Sequence, residues 1–272
     1  IMLFTSSAFG RDKTYNDSHF INPESDVPQN LIEVPITIFG GSDGNLSNDD
    51  YLLFYGRGPS GYNLDIDEVK WHQNLYFNES MYWLFIPKNI SIRGQRINTA
   101  NLINTSSTEI DYARVFIHSE NDIINPQESG LLWGNKLIFS GASMLDTIGV
   151  VDPLTQTTIT GTLGMIGNEK SNTRFKNTPH SIALFKDNTK IINLNWANIG
   201  PKSVDFTIDS DLINQGLNTL RLKNQSNNSN SEPFYDYLNI SYLRKLSYTE
   251  PFDFFTSSDS VNRKFKINGE NV

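Results

Sequence analysis

The sequence contains no cysteine among its 272 residues. This absence excludes disulfide bonds, thiolate metal sites and a cysteine nucleophile from the chain itself. No apolar run approaches the roughly 18 residues that a membrane-spanning helix needs, so we expect no transmembrane segment. Basic residues are outnumbered, with 22 Lys and Arg against 30 Asp and Glu, which gives a net charge of -8. Because such a chain repels phosphate backbones, we expect no nucleic-acid partner.

Recognisable catalytic motifs are also missing. The four histidines lie at no metal-ligand spacing from one another, and no nucleophile elbow, phosphate-binding loop or zinc-protease motif occurs. The 30 acids leave open a carboxylate pair of the kind that glycosidases use, but no pair stands out. We therefore expect no catalytic residue in this chain.

What the sequence does have is a series of short apolar runs with the composition of β-strands. Residues 31–39 are rich in branched side chains, and residues 51–55 and 81–86 are apolar runs bounded by turn residues or proline. We expect 51–55 to be a buried strand paired with 81–86. Residues 192–196 and 204–208 alternate apolar and polar side chains, as strands with one buried face do. The sequence predicts an all-β protein, or nearly so.

The polar residues 93–108 lack periodicity, which is typical of a linker. We therefore expect two β-rich units, an N-terminal domain at residues 1–105 and a jelly-roll-like β-sandwich at residues 110–250. Residues 251–272 are expected to begin a following segment. The first residues resemble the middle of a strand rather than a signal peptide, so we expect the chain to be part of a longer protein.

Two loops of the first unit are candidate binding sites. Arg57 lies between two glycines and precedes a proline, which favours a structural turn whose first glycine has a positive φ. Its guanidinium can contact a carboxylate or another domain. The acidic loop before it offers oxygen ligands that calcium accepts. Calcium in this loop is the one candidate cofactor that the sequence indicates. Those side chains can instead cap their own backbone, and both interpretations stay open for Asp43, Asn45, Asp49 and Asp50.

Aromatic residues of the second unit suggest a different function. Trp133, Trp196 and Tyr112 would stack on sugar rings if the chain were a free-standing carbohydrate- or protein-binding β-sandwich module. Each lies in an apolar stretch, which favours packing in the core instead.

Several stretches, taken in chain order, resemble a known kind of protein region. They are IMLFTSSAFG, PQNLIEVPITIFGGSDGNLSNDDYLLFYGRGPSGYN, HQNLYFNESMYWLF, ESGLLWGNKLIF, GLNTLRL and YDYLNISYLRKL. Together they resemble the region upstream of the peptidase domain in gingipain-like cysteine peptidases of family C25, whose relatives include the sortase of the type IX secretion system.

The resemblance implies β-rich domains that precede a caspase-like α/β peptidase domain with a His–Cys dyad. Because this chain has no cysteine, no catalytic residue carries over to it. The resemblance thus implies a non-catalytic accessory region of a bacterial peptidase, secreted or at the cell-envelope surface. Its partners would be the downstream peptidase domain and, beyond it, secretion-machinery or substrate proteins.

Overall fold

The computed structural model describes residues 1–6, 31–40, 47–56, 58–63, 69–74, 79–89, 91–98, 109–126, 128, 132–170, 177–247 and 264–267. Within these ranges the regular structure is β-strand, apart from a short 3-10 turn at Ser210–Leu212. The prediction of an all-β protein is therefore confirmed. The chain separates into two compact units, Ile1–Ile103 and Asn104–Val272. No helix in the ranges above is long and apolar enough to cross a bilayer.

The first unit is built from short antiparallel strands. β1 is the middle strand of a three-stranded sheet of order β2-β1-β7, while β3 pairs with β4 and β5 pairs with β6. The central position of β1 buries side chains on both of its faces, Leu3 and Phe4 among them. The strands are β1 (Met2–Ser6), β2 (Leu31–Val34), β3 (Ile36–Phe39), β4 (Tyr51–Phe54), β5 (Gly61–Asn63), β6 (Lys70–His72) and β7 (Tyr82–Phe85).

Proline divides the apolar run at residues 31–39 into two strands. Pro35 has no N–H for a ladder hydrogen bond, so β2 ends before it and β3 begins after it. Ile36, the first residue of β3, is fully buried, and it exchanges backbone hydrogen bonds with Gln95 and Ile97. The described part of the expected linker therefore lies along β3.

Two expectations for β4 are wrong. β4 pairs with β3, whereas β7, from the run at residues 81–86, pairs with β1. β4 is also not buried, since Tyr51 and Leu53 are 59% and 53% exposed. A two-stranded ribbon covers only one of its faces, and the apolar composition of β4 does not reveal this. The opposite face carries Phe54, whose ring lies 5.0 Å from that of Tyr82, so the two runs touch through side chains.

The turn after β4 also differs from expectation. Neither Gly56 nor Gly58 has a positive φ. A Cβ on Gly56 would come no closer than 3.4 Å to its nearest neighbour, a ring carbon of Phe54. A side chain at position 56 therefore meets neither strain nor a severe clash.

The second unit is a β-sandwich, as the sequence predicts. One sheet has the order β10-β17-β12-β15, with β9 also paired to β17, and the other has the order β11-β16-β13-β14. Buried apolar side chains of both sheets form one core cluster. The strands are β8 (Glu109–Ile110), β9 (Tyr112–Glu120), β10 (Lys136–Leu137), β11 (Ser143–Val150), β12 (Thr158–Gly167), β13 (His180–Lys186), β14 (Thr189–Trp196), β15 (Gly200–Asp209), β16 (Gly216–Asn224), β17 (Phe234–Lys245) and β18 (Lys264–Phe265).

A polar link crosses the interior between the two sheets. The Tyr235 hydroxyl on β17 donates a 2.6 Å hydrogen bond to Asp146 Oδ2 on β11, and Ser119 Oγ on β9 donates to the same oxygen at 3.0 Å. Burial raises the pKa of Tyr235, which keeps its hydroxyl protonated as the donor. The partly buried carboxylate of Asp146 thereby has hydrogen-bond donors, and the pairing links β17 to β11.

Candidate metal centre

Of the candidate residues of the first unit, the structure describes Asp49 and Asp50. Arg57, Asp43 and Asn45 lie outside the described residues. Asp49 is exposed, and Asp50 Oδ2 accepts a 2.7 Å hydrogen bond from the Ser47 N–H, which is the self-capping arrangement. The contact of Arg57 and calcium binding by this loop stay predictions.

The candidate aromatic residues of the second unit are partly buried. The Trp196 ring lies 4.8 Å from the His180 ring and packs against the core. Its Nε1 lies only 2.7 Å from the point where a Cβ of Gly167 would be, so the indole sits against the backbone of β12. Trp133 and Tyr112 are also partly buried. These placements agree with packing, and sugar binding by these residues stays a prediction.

A serine–histidine pair lies in the interior beside Trp196. His180 Nδ1 and Ser231 Oγ are 2.9 Å apart, and both residues are buried, as is Asn224, whose amide donates to the Ser231 carbonyl at 3.0 Å. Burial lowers the pKa of His180, and the charge of Glu169 acts in the opposite direction. Because Ser231 has no exposed surface, it cannot meet a substrate, and the pair is part of the packing.

Among the described residues, a cluster of three carboxylates lies at the end of β9. Glu120, the last residue of that strand, Asp122 in the following loop and Asp236 on β17 each present a carboxylate oxygen, and the three oxygens lie within 4.8 Å of one another. The side chain of Asp236 is buried, that of Glu120 is partly buried, and that of Asp122 is exposed. The cluster is therefore most exposed at Asp122.

A β-bulge brings Asp236 to this position. Asp236 and Tyr237 together lie opposite the single residue Gly164 in the ladder between β17 and β12. Tyr235 and Leu238, on either side of the bulge, both belong to the core, so the extra residue interrupts the alternation of faces. The bulge packs the Tyr237 ring against Gly164, because a Cβ there would lie 2.5 Å from Cδ1 of Tyr237 and the ring would have to shift. The bulge re-aims the Asp236 side chain out of the core.

A histidine fixes the orientation of Glu120. His118 Nε2 lies 2.7 Å from Glu120 Oε2, and its Nδ1 lies 2.6 Å from Asn239 Oδ1. Since an ionised carboxylate only accepts hydrogen bonds, Nε2 carries the proton that it donates to Glu120. The second oxygen of Glu120 is left for another partner.

The electrostatics of Asp236 reflect its crowded surroundings. Burial first, and then the negative charges of Glu120 and Asp122, raise its pKa to about 7, and His118 offsets part of this effect. Either a bound proton or a bound cation would offset the repulsion among these three carboxylates. Oxygen-only ligands of this kind suit a hard divalent ion.

Sequence reasoning missed this cluster. Glu120 and Asp122 are separated from Asp236 by more than a hundred residues, and only the β9–β17 ladder brings them together. The local signal is an aspartate flanked by aromatic and aliphatic residues in the stretch FYDYL. Such a residue at a position expected to face the core indicates a bulge or a site.

The fold defines a class, an all-β chain of two units with a β-sandwich as the second. Among solved structures it is similar to dimeric latent PorU from Porphyromonas gingivalis, with a TM-score of 0.63 and 11% identity over 95% of this chain and 23% of that chain. The chain thus spans about a quarter of the length of that PorU chain, and it has a PorU-like fold over nearly its whole length.

Weaker similarities involve carbohydrate-binding modules and cover about half of the chain. One is the CBM36-1 domain of a multidomain xylanase from the hindgut metagenome of Trinervitermes trinervoides, with a TM-score of 0.33 and 14% identity over 47% of this chain and 95% of that one. Another is a CBM36 in complex with calcium and xylotriose, with a TM-score of 0.31 and 9% identity over 46% of this chain and 98% of that one. No protein-family model matches the sequence, and no curated protein matches it.

Proposed function

We propose that this chain is a non-catalytic β-rich region of a larger PorU-like cysteine peptidase of family C25, at the bacterial cell surface or secreted. The observation that carries the proposal is the extent of the similarity to PorU, which covers 95% of this chain and therefore both of its units. The absence of cysteine agrees with it, because the nucleophile of such a peptidase must lie in another domain.

In this proposal the chain supports the peptidase domain and shapes access to it. The exposed face of β4 is the surface that we assign to that contact. Tyr51 and Leu53 lie on it, and the ring of Phe39 from β3 stacks on Tyr51 at 4.6 Å. Contiguous exposed apolar side chains of this kind mark interaction sites in soluble proteins.

The first test is to read the gene beyond the codon for Val272. We expect it to encode a domain with a histidine followed by a cysteine in the order of the C25 dyad. A stop codon at that point, together with binding of the chain to a polysaccharide, would favour the free-standing binding module instead. The surface location is tested by adding protease to intact cells, where we expect the chain to be cleaved.

The second test measures the contact itself. The encoded peptidase domain is produced separately, and its binding to this chain is followed by analytical size exclusion. Leu53→Ser should weaken the complex at least tenfold, because it removes an apolar side chain from the contact face. Leu217→Ser is the matched control, since Leu217 is 81% exposed in the second unit. Equal effects of the two substitutions would contradict the assignment of β4. The chain alone should hydrolyse no peptide.

A further inference from the structure

The cluster at the end of β9 contains a buried carboxylate without a partner. No N–H, O–H or cationic group of the described residues hydrogen-bonds to Asp236 or forms an ion pair with it, although its side chain is buried. Instead it points at the carboxylates of Glu120 and Asp122. A buried charge is ordinarily paired or coordinates a metal, so this arrangement is incomplete as it stands.

The spacing of the three carboxylates suits one ion. Calcium binds oxygen at 2.3–2.6 Å, so two ligands of the same ion can be up to about 5.2 Å apart. The three oxygens lie within 4.8 Å of one another, which is inside this limit. The hydrogen bond from His118 leaves one oxygen of Glu120 free, and the exposed side at Asp122 gives room for water ligands.

We propose that Glu120, Asp122 and Asp236 form a calcium-binding site that joins the bulge of β17 to the loop after β9. Calcium fits better than the alternatives, for reasons of ligand chemistry. Zinc prefers nitrogen and sulfur ligands, but the nearby imidazole of His118 is committed to Glu120 and Asn239, and the chain has no thiol. Magnesium demands near-ideal octahedral geometry at shorter distances, whereas calcium accepts irregular sites and supplementary waters.

The ion would connect segments that are distant in the sequence. Asp236 is fixed on the central strand of its sheet, while Asp122 lies in the loop that leaves β9 and runs past Gly134. Binding would neutralise the mutual repulsion of the three acids and order this loop. With only three protein carboxylates, we expect a dissociation constant on the order of 10⁻⁴–10⁻³ M, as in extracellular calcium modules.

The test uses the full chain after removal of metal with EDTA and dialysis. Calcium chloride is titrated by isothermal calorimetry to several millimolar, and thermal unfolding is followed with and without the ion. We expect saturable binding and a rise in Tm with calcium that an equal concentration of magnesium does not reproduce. Absence of saturable binding, or an equal response to magnesium, would overturn the calcium assignment.

The decisive variant is Asp236→Asn, which keeps the shape of the side chain and removes its charge. It should weaken calcium binding at least tenfold and remove the Tm response. In EDTA the same variant should melt at or above the temperature of the wild type, because one of the repelling charges is gone. This second readout separates loss of a ligand from simple misfolding.

The control is Asp111→Asn, between β8 and β9. Asp111 is an exposed acid whose side chain forms no hydrogen bond or ion pair among the described residues, so the fold should not change. Its calcium response should equal that of the wild type. The proposal is wrong if Asp236→Asn binds calcium as tightly as this control does.

Discussion

The buried imidazole of His180 makes the sandwich sensitive to acid. An unfolded histidine titrates near 6.5, while burial lowers the pKa of His180 in the folded state. As the pH falls below about 6.5, the unfolded chain therefore takes up a proton that the folded chain resists. The contribution of His180 to stability is complete above about pH 6.5 and decreases as the pH falls toward the folded pKa.

This behaviour can be isolated with His180→Asn, which keeps a polar group near Ser231 but does not titrate. We expect the free energy of unfolding in urea, measured from pH 8 to pH 5, to fall less steeply for the variant than for the wild type. The nearby Glu169 is present in both proteins, so the difference between the two curves reports position 180. If the two proteins showed the same pH dependence of the free energy of unfolding, the His180 imidazole would take up its proton equally in the folded and the unfolded chain.

Individual site residues were the least predictable feature. The sequence indicated acids around residues 43–50 because they are neighbours in the chain, whereas Glu120 and Asp236 meet only through strand pairing. The hydrogen bonds of a β-ladder join residues at any separation in the sequence. They form between backbone N–H and C=O groups, which every strand has, so the side chains do not reveal which strands pair. Local spacing therefore could not reveal this cluster.

At the scale of the element, the packing of β12 depends on small residues. A Cβ on Gly167 would overlap the Asn198 carbonyl oxygen and lie 2.7 Å from Trp196 Nε1. We expect Gly167→Ala to reduce the free energy of unfolding by about 1–3 kcal/mol, because backbone atoms must shift to make room. Gly149→Ala on β11 is the matched control, since no atom lies within 4 Å of its added Cβ, and its effect should stay within about 0.5 kcal/mol. Urea denaturation measures both, and similar values would contradict this account.

Strand existence was predictable and strand pairing was not. The alternation in residues 204–208 identified β15 correctly, because Phe206 and Ile208 face a single core. The run at residues 51–55 also gave a strand, but its pairing and burial were wrong. Aromatic and branched side chains indicate a β-strand, but they do not show which face of that strand the folded protein buries.

At the scale of the whole molecule, the described residues that form the core of the sandwich all lie between residues 115 and 242. We therefore expect residues 104–272 to fold without the first unit. Produced alone, this fragment should unfold cooperatively and show dispersed amide signals by NMR. Limited proteolysis of the full chain should cut first within residues 93–108 and release a fragment that begins near Ile110. A fragment that is soluble but unfolded would show that the sandwich needs the first unit.

The central position of β1 has a consequence for synthesis on the ribosome. β1 occupies residues 2–6, yet one of its two neighbours, β7, is made about 80 residues later. At about 5–20 residues per second, translation leaves this apolar segment without its second neighbour for about 4–16 s. β9 remains unpaired for longer, because its partner β17 follows after more than a hundred residues. Nascent chains of this protein thus expose unpaired strands for seconds, which makes them natural clients of chaperones that hold extended segments.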